Sequence, residues 1–151
     1  MKYSILALLI ICGCRTNNKQ IKSEIIFKND LLKSKIESYI TSISHEYTKS
    51  NIISVICKNK HDTILFEIVN SCPDLSLVKF NGYMDFLGYK LCFVGTYPPN
   101  NFLIINKTGN IPDEVIKINN QSRSNSTAIL NNTEPILWTL YFKGINLIKI
   151  E

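Results

Sequence analysis

The segment "DLLKSKIESYITSISHEYTKS", residues 30–50, is the strongest constraint on what this chain can fold into. Leu32, Ile36, Ile40, Ile43 and Tyr47 recur at spacings of four, four, three and four, the period of a single helix face. Asn29 stands where a helix start favours a capping side chain. The pattern predicts one amphipathic helix over about Asp30–Lys49, and its apolar stripe must be buried against something. Short runs of strand-like residues that follow can supply that surface: "IISVICK", "TILFEIVN", "LSLVKF", "GYKLCFVGTY", "FLIINK" and the C-terminal "PILWTLYFKGINLIKIE". In the last of these Ile136, Trp138, Leu140 and Phe142 alternate onto one face. The expected class is α+β, with one N-terminal amphipathic helix packed on an antiparallel sheet of about six strands.

Turn chemistry sets the expected connections. "NKHD" joins the first two strands, "PPNN" precedes "FLIINK", and Lys143-Gly144 divides the last two strands. Asn81-Gly82 readily supplies two positive φ values and predicts a tight hairpin. "IPDEVIKINN" places Pro112 where a first helical turn tolerates it, giving a short helix or turn. "QSRSNSTAILNNT" reads as a polar loop. Ile25–Phe27 are ambiguous between a short strand and a helical lead-in. The order of elements resembles cystatin-like and NTF2-like wrapped sheets, an analogy of order alone that carries no function.

The chain opens Met1-Lys2, and Ile5–Ile11 form an apolar block too short to span a bilayer core. The block ends in Ile11-Cys12-Gly13-Cys14, which resembles the lipobox of bacterial lipoproteins: a branched apolar residue three before the acceptor, a small residue just before it, then cysteine. Cys12 departs from the commoner Ala or Ser at its position. The resemblance implies that residues 1–13 are a cleaved signal peptide and that Cys14 becomes the acylated first residue. Each buried methylene contributes about 0.8 kcal/mol, so two or three acyl chains hold a domain firmly on a membrane. Arg15, where an Asp would signal inner-membrane retention, implies outer-membrane sorting with the domain facing the periplasm. Residues 14–28 then form the lipidated cysteine and a tether, and residues 29–151 a single domain.

The formal net charge is +5, yet only Arg15 and Arg123 of the 17 basic residues are arginine. Lysines scattered singly between apolar residues make a solvated surface rather than a nucleic-acid stripe. Cys57, Cys72 and Cys92 would share an oxidising compartment. Three buried thiols and a single Cys72–Cys92 disulfide are equally compatible with the spacing.

Catalytic and metal signatures are thin. There is no HExxH, no CxxC, no GxSxG and no Gly-rich phosphate loop, so neither a metal nor a cofactor is expected. His45 and His61 are the only histidines. The one nucleophile arrangement to consider, Cys57 with His61, lacks an orienting third group. What stands out is "FNGYMDFLGYKLCFVGTY", which carries Phe80, Tyr83, Phe86, Tyr89, Phe93 and Tyr97. Along a continuous strand Tyr83 and Tyr89 would share a face. They either pack the core margin or form a contact surface with Asp85 and Lys90 as its polar rim. Asp62-Thr63-Ile64 resembles the short acceptor of certain bacterial O-glycosylation systems, making Thr63 a candidate.

A small anchored domain without catalytic groups acts by binding. The leading expectation is an envelope lipoprotein that binds a protein partner, in the manner of an immunity-type inhibitor of a periplasm-acting toxin. The alternatives are a small-molecule or glycan binder with a pocket between helix and sheet, and a structural or assembly lipoprotein.

Overall fold

The computed structural model describes residues 21–43, 51–124 and 136–151. Within them the chain runs β1 (Glu24–Phe27), α1 (Asp30–Ile43), β2 (Ile52–Lys60), β3 (Thr63–Val69), β4 (Phe80–Phe86), β5 (Tyr89–Gly95), β6 (Leu103–Lys107), α2 (Asp113–Ser124), β7 (Leu137–Lys143) and β8 (Asn146–Ile150). Cys14, tether residues 15–20, the helical stretch expected to carry His45 and Tyr47, and residues 125–135 of the polar loop lie outside the described residues. No helix among the described residues is long and apolar enough to cross a membrane.

The expected antiparallel sheet of about six strands under an N-terminal helix is overturned. Eight strands form two sheets, a six-stranded one in the order β4-β5-β2-β3-β7-β8 and a two-stranded one of β1 with β6. The larger sheet is mixed, because β2 and β5 run parallel, with Ile52 opposite Lys90 and Val55 opposite Phe93. A strand precedes the first helix, within the stretch read as tether, and a second helix follows β6.

The physical reason lies in residues 70–79. "LSLVKF" does not begin as a strand; residues 75–78 are turns and bends, and β4 starts only at Phe80. Two antiparallel hairpins, β2–β3 and β4–β5, are joined by this crossover and laid side by side. The crossover carries the chain from the end of β3, opposite Ser54, to the other end of the sheet, where Phe80 lies opposite Val94 and Gly95 opposite Cys57, so β4 runs antiparallel to β2 and β5 parallel to it.

The Asn81-Gly82 turn is also corrected. Both residues lie inside β4, at a register shift opposite β5. A Cβ on Gly82 would sit 3.1 Å from Ser23 Oγ and 3.3 Å from Ile25 Cδ1, so the glycine admits a close crossing of the N-terminal segment. The hairpin turn is instead Leu87-Gly88, with φ of +49° and +83°.

α1 is capped where the sequence places it, Leu32 N–H donating to Asn29 Oδ1 at 2.8 Å. Its buried face comprises Leu32, Ile36, Tyr39, Ile40 and Ile43. These pack with Ile53, Val55, Phe66, Ile68, Leu140 and Phe142 of the large sheet and with Leu103 and Ile105 of β6. Tyr39 adds a polar lock: its hydroxyl donates to Ile136 O at 2.6 Å and accepts from Asn70 N–H at 2.7 Å. Its ring meets Trp138 edge-on at 5.5 Å. On the opposite sheet face, Val115 of α2 joins Ile52, Tyr83 and Cys92, with Cys72, Leu75 and Ile118 packed around them.

Candidate functional site

At the end of the sheet where β2 starts, β3 finishes and β4 turns into β5, the gap beneath α2 opens into a cleft of about 770 Å³. Asn51 and Ile52 come from the start of β2, Asn70, Ser71 and Cys72 from the exit of β3, and Asp85, Gly88, Tyr89 and Lys90 from the hairpin. Glu114 and Ile118 of α2 close the far wall. Strand pairing holds these positions in place: Lys90 N–H donates to Asn51 O at 2.8 Å, and Ser54 Oγ donates to Ser71 O at 2.6 Å.

Charge in the cleft is organised around Asp85. Lys22 Nζ and Lys90 Nζ both lie 3.1 Å from its carboxylate, one on each oxygen. The hydrogen bond from Lys22, then that from Lys90, holds the Asp85 carboxyl below its usual range. Burial works against the Lys90 ammonium, but the Asp85 hydrogen bond and charge outweigh it, with Glu114 adding to the same effect, so the Lys90 pKa is raised. Lys90 also stands over the Tyr83 ring, 5.6 Å from its centroid. Asp85 and Lys90 are therefore both charged at neutral pH.

Of the four residues proposed from sequence as a contact surface, Asp85, Tyr89 and Lys90 line this cleft. Tyr83 does not; it is 2% exposed. Nor do the two tyrosines share a face. The two-residue turn sets Phe86 opposite Tyr89 and Tyr83 opposite Cys92, so Tyr89 joins Phe86 and Met84 on the α1 side while Tyr83 packs towards α2. A strand-long alternation count fails because the chain reverses between them.

The described cysteines, Cys57, Cys72 and Cys92, are free thiols. Burial raises the pKa of each, that of Cys92 to about 12, so none has the lowered pKa of an activated nucleophile. Cys72 packs against the cluster that contains Cys92, which keeps that pairing the one to test by mass. Asn119 Nδ2 donates to the Cys72 sulfur at 3.3 Å and to Pro73 O at 3.0 Å, fixing the crossover against α2. His61 sits at the β2–β3 turn with φ of +56°, while Cys57 lies three pairs down the hairpin opposite Phe66. Thr63, the candidate glycosylation acceptor, is half-buried at the start of β3. Among the described residues no group of three His, Cys, Asp or Glu side chains could hold a metal ion.

Asn51, Asn70, Ser71 and Glu114 are the site residues that sequence reasoning passed over. As polar residues at element ends they look like turn and cap chemistry, and only the crossover and the parallel pairing bring them together. Comparison with protein families, with curated proteins and with solved structures finds no match for this chain.

Proposed function

We propose that this chain is an envelope lipoprotein, anchored through Cys14, that binds a small hydroxyl-rich ligand such as a glycan fragment in the cleft between α2 and the sheet. The observation that carries this reading is the convergence of Asp85, Tyr89, Lys90, Glu114, Asn51 and Ser71 on one cleft of about 770 Å³, within the size range of small-molecule sites. A sugar hydroxyl both donates and accepts. The carboxylates of Asp85 and Glu114 accept, Lys90 donates, and the Asn amides and Ser71 hydroxyl have groups of both kinds. Two carboxylates against one ammonium in the lining favour a neutral ligand over an anionic one.

Burial of Tyr83 removes the projecting tyrosine pair on which a flat protein-contact patch would depend. For that reason the small-ligand reading is preferred to an immunity-type inhibitor. A protein partner would still meet Asp85, Tyr89 and Lys90 at the cleft mouth.

Isothermal titration of the protein with a panel of neutral mono- and disaccharides tests the proposal. At least one sugar should bind, and Glu114→Gln and Asp85→Asn should each weaken it by about tenfold, the loss of one charged hydrogen bond, with the fold retained by circular dichroism. If no sugar binds, or if both variants bind as wild type, the proposal fails and a protein partner becomes the reading to pursue.

A further inference from the structure

The β4–β5 turn carries a residue that its backbone does not favour. Leu87 has φ of +49° and Gly88 +83°, and left-handed positions of this kind suit Gly or Asn, not a branched apolar side chain. Leu87 gains little inside the fold in return, being 60% exposed at the tip. Two residues away, Asp85 holds Lys22, whose side chain is 75% exposed. Ile21, beside it, is a further exposed apolar residue at 43%.

That N-terminal segment is pinned to the domain. Asn110 N–H donates to Ile21 O at 2.9 Å, Ser23 Oγ accepts from Tyr83 N–H at 2.9 Å, and a Cβ on Gly109 would come within 2.6 Å of Ile21 O and Ser23 N. Lys22 lies eight positions after Cys14, a span of at most roughly 29 Å when fully extended. The anchor therefore lies within that reach of the end of the domain that carries the hairpin tip.

We propose that the Leu87-Gly88 tip is a second membrane contact, with Leu87 seated in the headgroup region of an anionic bilayer and Lys22 beside it. The inference rests on the Cys14 anchor. A strained, exposed leucine and the exposed Lys22 ammonium within reach of a lipid anchor match what a bilayer surface recognises: an apolar side chain for the acyl boundary and an ammonium group for anionic headgroups. The contact orients the domain; the acyl chains hold it. It also sets the mouth of the cleft, lined by Gly88 and Tyr89, close to the membrane plane.

The test uses acylated protein reconstituted into phosphatidylethanolamine/phosphatidylglycerol vesicles with brominated acyl chains. Trp138 is the chain's one tryptophan and gives the background. Leu87→Trp should show at least about twofold more quenching than the parent, as expected of an indole at the acyl boundary. Quenching at the parent level, with protein still floating with the vesicles, overturns the contact while leaving the anchor intact. Protein that does not float with the vesicles overturns both. Leu87→Asn, which suits a left-handed turn, covers the case in which the tryptophan variant misfolds. It should melt at a higher temperature than wild type, and its amides at 87–89 should exchange faster on vesicles than those of wild type; equal exchange overturns the contact.

Discussion

Asp85 shows how much of the site is carried by single side chains. Its carboxylate accepts from two lysines that come from different parts of the chain, Lys22 of the N-terminal segment and Lys90 of the neighbouring strand. Because those hydrogen bonds lower its pKa in the folded protein, the stabilisation is present above the unfolded carboxylate pKa of about 4 and is lost as pH falls through the lower folded value. The carboxylate is half exposed, so the contribution is under about 1 kcal/mol. Asp85→Asn should therefore melt slightly below wild type at pH 7, and the gap between the two melting temperatures should narrow as pH falls below about 4. A gap that widens on acidification would show that the network does not stabilise the fold in this way. At this scale the sequence was a partial guide: the clustering of Asp85, Tyr89 and Lys90 in a short aromatic segment marked them, while Tyr83 in the same segment turned out to be buried.

Among the elements, α1 depends most on burial of its stripe. Ile40 is 4% exposed and sits in the cluster that joins helix, large sheet and small sheet. Ile40→Ala should cost about 2–5 kcal/mol by removing buried methyl groups and leaving a cavity, measured by urea unfolding; a loss under about 0.5 kcal/mol, as at a surface site, would mean the helix does not seal the core as described. That stripe, the Asn29 cap and the β2–β3 and β7–β8 hairpins were legible because each is written in a few consecutive residues. The parallel β2–β5 pairing was not, since no local pattern records which hairpin lies against which. Asn81-Gly82 misled for a related reason. A glycine required by a passing Ser23 and Ile25 looks, in sequence, the same as a glycine required by a turn, whereas the real turn begins with a leucine.

Across the whole molecule, the crossover of residues 70–79 and α2 occupy the same sheet face and leave the cleft at one end of it. The β4–β5 hairpin forms one wall of that cleft and accepts the ion pair from Lys22, so the proposed site lies at the end of the fold to which the N-terminal segment is pinned. Beyond Asp85, Tyr89 and Lys90, the composition of this cleft was invisible in the sequence because its residues span positions 51 to 118. The most direct measurement of whether it is the working surface is an amide chemical-shift map of the isotope-labelled protein titrated with the tightest sugar from the calorimetric panel. Shifts concentrated at residues 51–52, 70–72, 85–90 and 114–118 are predicted. Shifts confined to other parts of the sheet or to the β7–β8 end, or none at saturating sugar, would contradict the assignment of this cleft as the binding site.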